Sequence, residues 1–568
     1  MSVVNVWVGA TTEATATVVA KVTGSAVRLA VADNPGLSSP AYFGPVTPTA
    51  QGIVRLAASG LSASTRYYYA LEEDTVLDTT YPGQFRTHPP SGAPSTFTVG
   101  MASCAGSSSQ YPGVGNVLVS GRLSNHPIFD TIRTKALDED WLLFIHGGDL
   151  HYYDIGSGVQ VPNHDLATYR RAYDDVLLQP RQHALYRNVP TVYMYDDHDF
   201  GPDNSDSSAP GRDNAVQVYQ ERVPHYPRGS ALSNDPNHHS FEIGRVLFVI
   251  WDVRADRVPN TVPPGPAKTM LGTGQKAWFE SVLASSDAEL LVLVNPSQWD
   301  TSTFADSWAG YEHERAELVA MLAAPGGDTS KDWLPRMCLV QGDHHALGMS
   351  STSAWGGFPV FQFAPIDSGP GGSQPWRDVG SLPGRGLYGT LHVDDTGSQI
   401  TVTATGWSGT TAAMRYTMIV GDGIAPRAVQ NTQSTLYTAV NNTYGTQSTS
   451  GGYSDCVVVF TAPESGRAMI HWSGGVRNIA AASGPVAYLS PEIRAGATAG
   501  VGTVLLAADD TRSVRTNLAG NETVRAGASH TLVTGLTPGA AYNVRILHRV
   551  TSQTGEFFQR GLLVAPAS

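Results

Sequence analysis

Residues 142–153 read LLFIHGGDLHYY. Four apolar residues with no helical period, closed by a glycine pair, predict a fully buried strand whose C-terminal end opens into a tight loop. In an α/β protein such loops carry the chemistry, and this one holds Asp149, His151, Tyr152 and Tyr153. An aspartate with a tyrosine three residues on offers a carboxylate and a phenolate to one hard cation. By itself the pattern also describes an ordinary hydrogen-bonded loop, so its meaning depends on partners elsewhere.

Outward from it the pattern repeats. Residues 96–104 (TFTVGMASC) read as a buried strand ending at Cys104, and Ile128, Phe129, Ile132 and Leu137 recur at helical spacing before the central strand. Residues 168–186 form a second helical pattern, broken at Pro180, and lead to a strand over 189–195 that ends in DDHDFG. Further buried strands are expected at 246–252, at 290–294 ending on Asn295, and at 337–341 ending in GDHH, with helices around 274–284 and 311–323. Strand and helix alternate, which is an α/β layer. Five strands end in Cys104, Asp149 with Tyr152, Asp197 with His198, Asn295, and Asp343 with His345, all expected along the C-terminal edge of one mixed sheet. Each is a candidate metal ligand or proton carrier.

At 568 residues the chain is too long for one core. Residues 1–88 show short alternating runs separated by Gly, Pro, Ser and Asn, the pattern of a small antiparallel sandwich. Residues 60–67 (GLSASTRY) resemble the fibronectin type III corner in which a tyrosine packs, and residues 535–542 (GLTPGAAY) repeat that spacing. The expected organisation is therefore multidomain: a fibronectin III-like β-sandwich at 1–88, a central α/β domain at 95–427 with mixed β-sheets flanked by helices, and a C-terminal β-sandwich at 428–568. The Pro-rich residues 88–94 read as a stiff linker.

A net charge of -13 without Lys/Arg clusters argues against a nucleic-acid or anionic-membrane partner. Acidic residues gather between Asp138 and Asp213, which bound cations would compensate. Cys104, Cys338 and Cys456 are too scattered for a disulfide framework, and the last two read as core. No stretch has the length of a membrane-spanning helix, and the N-terminus lacks the basic and apolar regions of an export signal. The localisation expected is extracellular or cell-envelope if a leader has been removed, or virion-associated if it has not.

From Thr96 to Gly406 the sequence resembles the alkaline phosphatase D family of metallophosphoesterases, the PhoD-like phosphatases. The resemblance is carried by ASC at 102–104, GGDLHYYD at 147–154, YRRAYDDVLLQP at 169–180, DDHDFGPDNSD at 196–206, DVRADR at 252–257, TMLGTGQKAWF at 269–279 and GDHH at 342–345. It implies metal-dependent hydrolysis of phosphate monoesters or diesters by a metal-activated water at a binuclear site. Cys104, Asp149, Tyr152 and His345 would then hold Fe³⁺, while Asp149, Asp197, Asn295 and Asp343 would hold Ca²⁺, with Mg²⁺ or Mn²⁺ as alternatives. Gln298 rivals Asn295 as a ligand. His198 would contact phosphate and protonate the leaving oxygen. Arg254 would steer phosphate or else form a structural ion pair.

A reading of another class is a phage tail protein or an envelope-binding protein that carries the phosphatase domain as cargo. The Ser/Thr/Gly-rich C-terminal module would then contact a cell-envelope polymer, a second copy of the chain, or its neighbours in a particle.

Overall fold

The computed structural model describes residues 3–106, 123–153, 164–301, 306–327 and 331–421; beyond these it describes 430–433, 437–439, 444, 456–462, 466–478, 487–498, 500–516, 525–550 and 555–566. The expected alternation is present. Thr96–Ala102, Ile128–Asp138, Leu143–His146, Leu166–Leu177, Pro180–Asn188 and Thr191–Tyr193 follow one another as strand, helix, strand, helix, helix and strand. Pro180 opens the later helix, where its missing N–H goes unneeded and its fixed φ is already helical. All four residues of Leu143–His146 are buried, as an unbroken apolar run demands of a strand covered on both faces.

One expectation is corrected: the strands that carry the candidate ligands lie in two sheets, not one. Leu143–His146 runs parallel between Thr96–Ala102 and Thr191–Tyr193, in a six-stranded sheet completed by Leu387–Asp395, Gln399–Ser408 and Thr411–Gly421. Leu290–Asn295 runs parallel between Val246–Ile250 and Met337–Gln341, in a seven-stranded sheet. The period-2 alternation of side chains separates the two cores. Phe248, Val292, Val294 and Val340 from the second sheet share a core with Val99, Met101, Ile145, Leu391 and Val402 from the first. Their neighbours Leu247, Val249, Leu291, Leu293 and Leu339 pack instead with Phe279 and Leu283 of Gly272–Ser285 and with Leu318 and Leu322 of Glu312–Ala323. The two sheets therefore stack, and helices cover the outer face of the second.

The N-terminal strands form two sheets around their own core, which includes Val6, Val18, Leu29, Leu56 and Phe85. The backbone N–H of Ser62 donates to the Tyr67 hydroxyl at 2.9 Å, and that of Thr537 donates to the Tyr542 hydroxyl at 2.9 Å. The tyrosine corner read twice in the sequence is thus built the same way at both ends of the chain. Residues 88–94 are not a free spacer. His88 is buried 3.0 Å from the Thr11 hydroxyl, and the Gly92 N–H donates to the Gly244 carbonyl at 2.8 Å.

The sandwich is also fastened to the central domain directly. The Trp7 indole donates to the Arg222 carbonyl at 2.6 Å, the Arg55 guanidinium donates to the Gln220 and Val223 carbonyls at 2.7 Å, and Lys21 pairs with Asp174 at 2.7 Å. The described strands from Gln430–Gln433 onward form two five-stranded sheets. Cys338 and Cys456 are buried. Among the described residues no helix is long and apolar enough to cross a membrane.

Candidate metal centre

Five loops, each following a strand, are drawn together, and two glycines let them meet. Gly148 has φ +106°, and a Cβ there would lie 2.6 Å from the Asp196 Cβ. At Gly342 a Cβ would meet the Gly147 carbonyl at 2.6 Å and the Ser103 hydroxyl at 2.9 Å. Backbone bonds fasten the loops: Cys104 N–H to the Gly148 carbonyl at 3.0 Å, Ala105 N–H to the Asp149 carbonyl at 2.7 Å, and Gly342 N–H to the Pro296 carbonyl at 3.0 Å. Cys104, Asp149 and Asp343 all hold left-handed backbone, at φ 60°, 54° and 68°. For a non-glycine residue that conformation costs about 1–3 kcal/mol, and it persists where the surroundings impose it, commonly at ligand sites.

Ligand atoms of Cys104, Asp149 and His345 lie within 4.8 Å of one another; so do those of Asp149, Asp197 and His198, and those of Asp196, Asp197 and Asp343. Asp149 belongs to two of these groups at once. The Tyr152 hydroxyl donates to Asp149 Oδ2 at 2.9 Å and lies 3.1 Å from His345 Nε2, so the tyrosine is held between two members of the first group. The His198 ring sits over the Tyr152 ring with centroids 4.3 Å apart, and its Nε2 is 3.5 Å from Asp203 Oδ1. Asn295 ends its strand in register with Gln341, two residues before Asp343. Its Nδ2 donates to the Ser297 carbonyl at 2.6 Å.

The electrostatics are those of a site short of positive charge. Burial, helped by the charge of Asp197, pushes the Asp149 carboxyl well above the usual range against the pull of His198. Burial and the charges of Asp196 and Asp197 do the same to Asp343. Burial pushes Asp197 up too, but the charges of His198 and Arg254, together with the Asn204 and His198 amides, overcome it and hold that carboxyl well below the usual range. The Cys104 thiol and the Tyr152 phenol are raised by burial and by the charge of Asp149. Asp149 Oδ1, Asn295 Oδ1 and Asp343 Oδ2 are sealed from water without a hydrogen-bond partner. Buried, unpartnered acceptor oxygens beside carboxyls that resist ionisation are suited to cation ligation, so the donor set fits metal ions.

The expected ligands Cys104, Asp149, Tyr152, Asp197, Asp343 and His345 are therefore brought together, and Asn295 stands at a neighbouring strand end with its carbonyl oxygen open. Gln298 lies with Asp343 and His345 along an adjoining cavity. Arg254 is wholly buried, 2.6 Å from Asp196 Oδ1, 3.1 Å from Asp306 Oδ2 and 3.9 Å from Asp197 Oδ2. Of its two expected roles the geometry favours the ion pair, because its charge is directed at carboxylates beneath the site.

Asp196 was missed. It caps Asp197–Phe200, its backbone N–H accepted by the Asp199 carboxylate at 3.2 Å, while Asp199 also accepts the His151 N–H at 3.0 Å. The D-x-x-D spacing of a capping box was the signal that could have separated Asp196 and Asp199 from the candidate ligand Asp197.

Residues 116–349 match the model of the PhoD-like phosphatase family. Among solved structures, that of PhoD is similar with a TM-score of 0.57 at 20% identity, covering 75% of this chain and 91% of that one. A xylan-binding domain from Paenibacillus barcinonensis Xyn10C matches 24% of this chain and 87% of its own at 10% identity and a TM-score of 0.13. The infectious bursal disease virus Gx strain structure matches 39% and 59% at 11% identity and a TM-score of 0.16. Both lie too far off to inform the fold. No curated protein matches the chain. With the fold of PhoD around them and candidate ligands converging at the strand ends, residues 116–349 carry the match to a PhoD-like phosphatase domain, and that match supports hydrolysis of phosphate esters in general.

Proposed function

We propose that the centre is binuclear and hydrolyses phosphate monoesters and diesters without a covalent enzyme intermediate. The observation that carries this reading is the double membership of Asp149, whose carboxylate lies within 4.8 Å of ligand atoms of Cys104 and His345 and also of Asp197 and His198. A bridging carboxylate has that placement. Cys104, Tyr152, His345 and Asp149 offer thiolate, phenolate, imidazole and carboxylate, a set suited to Fe³⁺. Asp149, Asp197, Asn295 and Asp343 offer oxygens alone, which suits Ca²⁺, with Mg²⁺ or Mn²⁺ as substitutes.

Cations so placed supply activated water at neutral pH and neutralise charge at phosphorus. The chain's own residues do the rest. Asp197, held ionised by His198 and Arg254, keeps a carboxylate ready at neutral pH. Arg254 fixes Asp196 and Asp197 from beneath and so orients the loop that bears them. His198, braced by the Tyr152 ring and Asp203, keeps a ring proton for the leaving ester oxygen.

The test is metal analysis of the purified protein with hydrolysis of bis-(p-nitrophenyl) phosphate and p-nitrophenyl phosphate. Bound iron is expected to give a visible phenolate charge-transfer band that Tyr152→Phe removes. A colourless, iron-free and fully active protein overturns the iron assignment, and a metal-loaded protein that hydrolyses neither ester overturns the proposal.

A further inference from the structure

Beside Asp343 and His345 opens a cavity of ≈ 280 Å³, walled further by Gln298, Thr301, His344 and Trp376. Trp376 is 46% exposed, while the other tryptophans of the chain are buried or half-buried. Leaving an indole in water forgoes the burial that stabilises every other one. Nor does the chain around it lack anchorage. Gln374 and Arg377 on either side are buried. The Gln374 N–H donates to the Ser381 hydroxyl at 3.0 Å, and the Arg377 N–H donates to the Gln374 carbonyl at 3.1 Å.

The Arg377 guanidinium also grips Asp300 through two bonds, at 2.9 and 3.0 Å. Asp300 in turn accepts from Gln341 Nε2 at 3.2 Å and from the Ser350 hydroxyl at 2.9 Å. One brace therefore fixes the residue before Thr301, the residue after Trp376, and the strand end two residues before Asp343. Opposite, His344 packs so closely on Gly371 that a Cβ there would come within 2.9 Å of the imidazole. The walls are set before any ligand arrives, which lowers the ordering cost of binding.

We infer that this cavity is a subsite for a planar, ring-sized ester group of the substrate, which lies on the Trp376 indole while its phosphoryl group sits at Asp343 and His345; the inference rests on the phosphoesterase reading above. The volume, at the small end of ligand sites, suits one aromatic ring. An exposed indole face offers offset stacking to such a ring. Gln298 and His344 supply hydrogen-bonding groups for its substituents.

The test is calorimetric binding of phenylphosphonate and methylphosphonate to the metal-loaded full chain, alongside hydrolysis of bis-(p-nitrophenyl) phosphate. Both phosphonates resist hydrolysis and differ only in the ring. The wild type is expected to bind the phenyl compound ~5- to 100-fold more tightly, the range of ring stacking on an aromatic side chain. Trp376→Ala should bring that ratio close to one, Trp376→Phe should keep most of it, and Trp376→Leu should fall between. A wild-type ratio near one in a chain that hydrolyses esters overturns the subsite alone, as does an unchanged ratio in W376A. If neither phosphonate binds and no ester is hydrolysed, the phosphoesterase reading fails and the subsite falls with it.

Discussion

Arg254→Met keeps side-chain bulk but deletes a charge buried 2.6 Å from Asp196, 3.1 Å from Asp306 and 3.9 Å from Asp197. Removing one partner of a buried ion pair costs about 3–5 kcal/mol, and the packing of methionine argues for the lower end. At ~2–4 °C per kcal/mol for a large domain, the melting transition of the central domain should fall by about 6–12 °C. A second consequence is independent of the first. Asp197 is held well below the usual carboxylate range against its burial by His198 and Arg254. Without Arg254 that carboxyl moves up, a proton competes with the cation, and metal affinity begins to weaken at a higher pH than in the wild type.

Scanning calorimetry with and without saturating Ca²⁺ or Mn²⁺, together with metal titrations between about pH 5 and 8, reads both effects. Added cations should recover part of the lost stability, because they take over the charge of the freed carboxylates. Arg254→Lys, which restores the charge without the planar fork, should lie between the two proteins. If R254M melts within about 1 °C of the wild type and keeps its metal affinity at low pH, Arg254 does not position the centre.

His198→Ala should keep both metals and lose roughly 10²- to 10⁴-fold in turnover, less for esters with good leaving groups; equal loss on all esters together with loss of metal would make His198 a ligand. In the chelated protein, burial raises Asp149 and Asp343 and lifts Asp196 to about 6, so the folded state binds more protons than the unfolded chain. The contribution of these three groups should therefore fall as pH rises from the ordinary carboxylate range through about 6 and beyond, while Asp197, which is depressed, acts only below that range. Metal-loaded protein should not show that fall, and parallel slopes in thermal melts would refute the account. Deleting residues 1–88 should unfold the central domain, since Trp7, Arg55 and Lys21 fasten the sandwich to it. Truncation after residue 428 tests the attachment reading of the C-terminal module: turnover on small esters unchanged but envelope or partner binding lost supports it, whereas aggregation or loss of metal removes it.

What the sequence determined by itself was local. The run at residues 142–145 pointed to a buried strand, Pro180 to a break in the helical pattern, and Tyr67 and Tyr542 marked their corners through spacing alone. These outcomes depend on periodicity and turn chemistry within about ten residues. The residue types at the strand ends were legible for the same reason. The tertiary structure decided which of them meet. Asp149 and Asp343 follow strands in different sheets, and they come to one centre because alternate side chains of both sheets share one core. The same holds for Arg254, whose partners Asp196 and Asp306 lie 58 and 52 residues away along the chain, and for the brace from Arg377 to Asp300 that fixes Trp376. Periodicity says which face of a strand is buried, but not what that face is buried against. That choice belongs to the long-range packing of the whole domain, which sets every distance at the centre.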